Sequence, residues 1–239
     1  MARRLFIDQD LIKENQIRLN EEAFHYLKRV LRVTQGETLE VFNKKNQIAT
    51  AEVSKIEKNG IEIKIVSLQE RSVIYPRQNL AVAVCAPQKL SLIVQKATEL
   101  AVENIWLLET RFSQNQQSHL IHSEDKLKRY RQIILSACQQ SGVTRVPSIH
   151  QSQKIETWLE KNVYEGVLIL ADPQGENYQN KITSNTPHTW VIGPEGGFSQ
   201  EEKQQILDKR ATKVCLAPAV LRMETACISA LTLGHQVSS

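Results

Sequence analysis

The sequence predicts an α/β protein in two parts: a small β-rich module, then a larger domain built on a mostly parallel sheet. Three observations carry this. The chain has 239 residues, long for one typical domain and short for three. Up to about residue 72, apolar and polar residues alternate with the period of half-buried strands; from Asn79 onward, continuous apolar runs alternate with stretches of helical period. Hydrophobic residues make up 41% and charged residues 23%, enough to bury a core, which excludes a globally disordered chain.

In the first module, residues 1–72, the segments Thr38–Phe42, Ile48–Ile56 and Ile61–Ile65 read as strands, with Asn59-Gly60 as the tight turn between the last two. Asn20 is placed to cap a short helix in which Phe24, Leu27, Val30 and Leu31 recur at helical spacing. A small barrel with one helix is the simplest assembly. Residues 73–78 fall in the aperiodic stretch Gln69–Gln78, which contains Tyr75-Pro76 and reads as a linker. In the second domain, residues 79–239, Leu80–Cys85 is a strand, Lys89–Val102 a helix and Ile105–Leu108 a strand. Ser123 caps a helix through Gln140, Val167–Leu170 and Thr189–Ile192 are buried strands, and Glu224–Gln236 closes the chain as a helix.

No uncharged apolar run approaches the ~20 residues of a membrane span, and the opening Met1–Asp8 lacks the apolar centre of a signal peptide, so a cytoplasmic protein is expected. Cys85, Cys138, Cys215 and Cys227 lie far apart with no C-x-x-C pair, and are expected to be reduced and buried, without a metal. The net charge of +4 permits a local basic patch against phosphate but excludes a polycation, and 5% aromatics argue against an RRM-type stacking platform.

The strongest chemical signal is Val191-Ile192-Gly193-Pro194-Glu195-Gly196-Gly197-Phe198-Ser199, a buried strand running into a glycine-rich bend. Gly193, Gly196 and Gly197 allow positive φ or close approach of a ligand, and Ser199 with Glu202 forms a capping box for the helix that follows. Such a loop lies where open α/β sheets bind ligands, although read alone it fits a plain strand-to-helix turn equally well. The spacing is that of neither a dinucleotide fingerprint nor a phosphate-binding P-loop. A second element, Val214 to Ala226, ends a strand in an irregular loop around Pro218 and delivers Arg222 and Glu224 at the start of the last helix. Glu224 there could equally do no more than complement the helix dipole.

Together, in this order, the two loops resemble those of the RsmE family of 16S ribosomal RNA uracil-N3 methyltransferases, in the SPOUT class of S-adenosylmethionine enzymes. The resemblance extends over most of the chain. His25-Tyr26-Leu27-Lys28-Arg29-Val30-Leu31-Arg32 with Gly36 is similar to the family's N-terminal motif, Gln95–Leu100 to its first methyltransferase helix, and Gln140-Ser141-Gly142 to a further motif. Where that family usually carries glutamate, arginine, glycine, glycine and arginine, this chain has Gln139, Val143, Ala101, Ala217 and Ala219.

The resemblance implies a PUA-like β-barrel that helps hold RNA, followed by a SPOUT domain with a trefoil knot that binds S-adenosylmethionine and packs as a homodimer. It implies cofactor contacts from Leu170, Ile192, Gly193, Glu195, Gly196, Gly197, Leu216, Ala217, Pro218, Val220 and Leu221, largely through main-chain groups. Small-subunit 16S rRNA would be the partner, held by Arg3, Arg4, Arg29, Arg32, Lys89, Lys96 and Arg111, each of which reads equally well as a solvated surface charge. Arg222 is expected to stabilise charge on the uracil and Glu224 to take the N3 proton. Two other classes stay open: a non-catalytic RNA-binding assembly factor on the same fold, to which the departures give some weight but against which intact Gly193–Gly197 and Leu221–Ala226 count, and a nucleotide-dependent oxidoreductase, which the missing phosphate fingerprint disfavours.

Overall fold

The computed structural model describes residues 3–69, 75–113, 124–177 and 186–237, with the side chains of residues 22, 29, 30, 236 and 237 left aside. The described residues divide into two compact units, those of Met1–Ile74 with Cys138–Val146 and those of Tyr75–Ala137 with Pro147–Ser239.

In the first unit, β1 (Arg4–Phe6), β2 (Gln16–Arg18), β3 (Thr38–Phe42), β4 (Ile48–Glu57) and β5 (Gly60–Gln69) form one sheet in the order β1-β3-β4-β5-β2. All pairs are antiparallel except β1 with β3. Alternate residues of all five strands, among them Leu5, Ile17, Val41, Val53 and Ile63, meet Phe24 and Leu27 in one core, so the sheet, with β1 and β2 at its two ends, curves around a single apolar centre. The β4–β5 turn is Lys58-Asn59, and Gly60 already pairs with Glu57, one residue earlier than the expected Asn59-Gly60 turn. The Oδ1 of Asn20 accepts the Ala23 N–H at 2.9 Å, capping α1 (Glu21–His25) as the sequence implied. The helix then widens into a π-helical stretch, Tyr26–Leu31, ending at Arg32, whose left-handed backbone donates to the Leu27 carbonyl. No periodicity argument marks that widening.

The second unit holds β6 (Gln78–Ala83), α2 (Pro87–Glu99), β7 (Asn104–Glu109), β8 (Ser148–Ile149), β9 (Gln153–Lys154), α4 (Ile155–Lys161), β10 (Val167–Asn177), β11 (His188–Ile192), α5 (Gln200–Asp208), β12 (Thr212–Cys215) and α6 (Met223–Val237). Helix α3 (Glu124–Ser141) starts in this unit, and its last turn belongs to the first. The expected cap Ser123 lies outside the described residues. Pro87 starts α2 two residues before the expected Lys89, because a proline in the first turn forfeits only an N–H that has no helical partner.

The strands run in the order β12-β10-β11-β6-β7-β8, all parallel, with β9 beside β7. Every residue of β6 and β11 is buried, so both faces of the sheet are covered. On one face Trp106, Leu168, Leu170 and Val191 pack with Trp158 of α4 and Ile206 of α5; α6 lies on β6, β11 and α2. The register sets Leu170 beside Val191, Val191 beside Ala81, and Ala171 beside Val214, so the carboxyl ends of β12, β10, β11 and β6 lie side by side. No helix among the described residues is long and apolar enough to cross a membrane.

Ala101 takes a left-handed φ of 53°, a conformation glycine would adopt without strain, whereas Ala217 does not take positive φ. Val143 is buried, so it contributes packing at a position where an arginine could not be accommodated without desolvating its charge. The cysteines are free, and only Cys215 is partly exposed. Burial pushes the Cys85 and Cys138 thiols up to about 12 and raises Cys227 further. A thiolate-selective reagent at pH 8 should therefore label one thiol per folded chain quickly, at Cys215, and the other three only on unfolding. Fast labelling of two or more in the native protein would contradict the burial of these sites.

Candidate active site

Where the ends of β10, β11, β12 and β6 adjoin, the loops that follow them surround a cavity of about 620 Å³, the size class of a small-molecule site. The loop after β11 owes its shape to three local devices. The Pro194 carbonyl accepts the Gly197 N–H at 2.8 Å, closing a turn that sends Gly197 to φ +73°. Gly193 has ordinary φ, and its missing side chain matters because a Cβ there would come within 3.0 Å of the Phe198 ring. The Ser199–Glu202 capping box closes the loop: Glu202 Oε2 accepts the Ser199 N–H at 2.8 Å, and its buried Oε1 accepts the Arg111 N–H at 2.6 Å. One carboxylate thus ties the loop after β11 to the loop after β7.

Of the residues expected to hold a cofactor, Ile192, Gly193, Glu195, Gly197, Leu216, Ala217, Val220 and Leu221 line the cavity. Leu170 is buried in the core, one residue short of the wall, and Gly196 and Pro218 are not among the lining residues. Arg222 lines the cavity with its side chain exposed, and among the described residues its guanidinium has no ion-pair or hydrogen-bond partner. Glu224 stands behind the wall, in the first turn of α6, with Oε2 buried and lacking a hydrogen-bond partner.

Several lining residues escaped the sequence reading: Ala171, Asp172 and Pro173 within β10, Phe198, Lys203 on α5, and Met223 and Ala226 on α6. Asp172 had a signal, since it stands two residues past the apolar run Val167–Leu170, at the ligand-binding end of a parallel strand. Burial opposes its ionisation, but the Lys203 ammonium and the Gln174 backbone N–H outweigh that and hold its carboxyl below the usual range.

The expected RNA-binding side chains fall in both units, and most are already paired. Arg3 meets Glu37, Arg4 meets Glu40 at 2.8 Å, Lys96 meets Glu99 at 2.9 Å and Arg111 meets Glu201 at 3.5 Å. Lys89 binds Glu195 across the cavity mouth, a contact that holds the Glu195 carboxyl low and the Lys89 ammonium high. Arg32 is exposed without a recorded partner among the described residues; Arg29 lies in the π-helical stretch, and its side chain is outside them.

A family model described as an RNA methyltransferase domain matches residues 75–234, and one described as an RNA methyltransferase PUA domain matches residues 19–66. The chain belongs to this RNA methyltransferase family. Its relatives include the ribosomal RNA small subunit methyltransferase E of Buchnera aphidicola, 30% identical over 96% of this chain and 94% of the relative. That of Rickettsia conorii is 29% identical over 95% and 93%. Among solved structures, a Legionella pneumophila methyltransferase in complex with the bound cofactor SAM superposes with a TM-score of 0.87 at 26% identity, covering 99% of this chain and 98% of the other.

Proposed function

We propose that this protein transfers a methyl group from S-adenosylmethionine to N3 of a uridine in the 16S rRNA of the small ribosomal subunit. One observation carries the reading: loops from neighbouring strand ends enclose a cavity of about 620 Å³ whose wall bears an exposed guanidinium, Arg222, with no hydrogen bond or ion pair among the described residues. Family membership, relatives named as small-subunit rRNA methyltransferases and a SAM-bound structural neighbour support it. Residues 1–72 would help to hold RNA and residues 79–239 would carry out the transfer. The trefoil knot belongs to the same reading and rests on the family resemblance alone.

The cavity suits the donor. Main-chain groups of residues 192–197 and 216–221 bracket it, while Ile192, Leu216, Leu221 and Met223 give an apolar wall for a flat base. When bound, the donor supplies an electrophilic methyl on a sulfonium sulfur. The protein's share is placement and charge: N3 must be held in line with that methyl and lose its imide proton. Arg222 cannot accept a proton, but it can donate hydrogen bonds to a uracil carbonyl as negative charge develops there. Glu224, in the first turn of α6 beside the wall residue Met223, would accept the N3 proton through a water.

A homodimer through α6 is part of the proposal. Leu231 is core, but Ile228 and Leu233 remain partly exposed. Sedimentation at micromolar concentration should give twice the chain mass.

Methylated positions mapped in 16S rRNA from cells with and without the gene should differ by one 3-methyluridine, restored in vitro by the purified protein with S-adenosylmethionine. Identical maps would refute the assignment.

A further inference from the structure

The cavity wall contains a buried charge that the chemistry above leaves unused. Strand β10 leaves its ladder after Ala171, since β12 pairs Val214 first with Ala171 and again with Glu176, so residues 172–175 loop out at the sheet edge. The loop is folded by Asp172 itself, whose Oδ1 accepts the Gln174 N–H at 2.8 Å. Its Oδ2 takes Lys203 Nζ at 2.9 Å, and the side chains are 4% and 27% exposed. Among the described residues five charged side chains line the cavity, Lys89, Asp172, Glu195, Lys203 and Arg222, and of these Asp172 is the buried one.

A buried ion pair seldom repays its desolvation, and replacing both partners by apolar groups is often neutral or stabilising. Stability therefore does not explain this pair, whereas a ligand that completes it would. Both partners have capacity left: Lys203 uses one of three donors here, and the Asp172 oxygens have lone pairs beyond the two contacts they accept. Lys89 and Glu195 satisfy each other at the mouth, and Arg222 is assigned to the uracil.

In S-adenosylmethionine the adenine and ribose are neutral, and the amino-acid end carries a carboxylate beside an ammonium. We propose that Asp172 and Lys203 seat this amino-acid head, with Lys203 donating to its carboxylate and Asp172 accepting from its ammonium while fixing the aim of Lys203. The four charges then alternate in sign around one contact. The inference rests on the reading that this cavity binds S-adenosylmethionine.

Calorimetry on the full-length protein with three ligands tests it. S-adenosylmethionine and S-adenosylhomocysteine carry the amino-acid head; 5′-methylthioadenosine keeps adenosine and a thioether without it. Lys203→Met should weaken both head-bearing ligands about tenfold or more, the loss expected for one charge-assisted hydrogen bond, and leave 5′-methylthioadenosine unchanged. Lys203→Arg should restore part of the loss. Equal weakening of all three ligands would mean that the pair only shapes the cavity, and unchanged affinities would mean that it does not touch the ligand; either result overturns the proposal while leaving the cofactor reading intact. Failure of the wild-type protein to bind S-adenosylmethionine would overturn both. Lys203 is the more exposed partner, so its variants test the idea without removing the carboxylate on which the loop folds.

Discussion

Replacing Arg222 with alanine should slow methyl transfer at saturating S-adenosylmethionine by about 10²-fold or more, the loss that follows removal of one oxyanion-type donor. Melting temperature and cofactor affinity should barely move. The asymmetry comes from the surroundings of the side chain. Arg222 is exposed and has no partner among the described residues, so truncation strands no buried group and should change stability by no more than about 0.5 kcal/mol. The hydrogen bond that matters exists only when a uracil carbonyl is gaining charge, so its loss falls on turnover rather than on ground-state binding. Arg222→Lys should recover little of the rate, because an ammonium keeps the charge but not the planar fork. Single-turnover rates in Arg222→Ala close to wild type would place the charge stabilisation elsewhere.

Elements specified by neighbours in sequence were legible, and those specified by neighbours in space were not. The Ser199–Glu202 box and the Asn20 cap involve residues three apart, and both form as expected. The sheet was legible as a class because its strands are apolar throughout, though the lengthening of β10 to Asn177 depends on β12 and has no local signal. The cavity was read as two loops, yet its wall also includes Asp172 and Lys203, which meet only after β10 and α5 are placed. The first unit's claim on Cys138–Val146 is equally invisible, since the helical period runs through Gln140 without a break. Leu170 and Glu224 each fell one layer behind the surface they were expected to form, because periodicity assigns an element's faces but not the point at which a chain turns out of its ladder. The chemistry itself was legible only because two loops resembled those of known enzymes; glycine content and a carboxylate near a helix start do not distinguish a methyl-donor site from a plain turn.

Changing Glu224 to glutamine should separate two accounts of that residue. As the proton acceptor, Glu224 contributes what general bases typically do, so Glu224→Gln should slow transfer about 10²- to 10⁴-fold at pH 7. The rate should then recover in part toward pH 9, as solvent begins to ionise the uracil imide and the lost base matters less. As a helix-dipole partner in the first turn of α6, it would instead contribute about 0.3–1 kcal/mol to stability, and the variant would melt earlier with normal transfer in its folded fraction and no pH rescue. On the first account the charge of Glu224 is kept for the reaction and not for the fold, and its Oε2 makes no hydrogen bond among the described residues. Glutamine at this position removes the charge and keeps the shape, so the melting temperature should stay level or rise while the rate falls. Single-turnover methylation of small-subunit RNA by the folded variant across pH 7 to 9, paired with its thermal melt, reads both quantities. A wild-type rate at pH 7 would end the assignment of Glu224 as the base, whatever happened to the melting temperature.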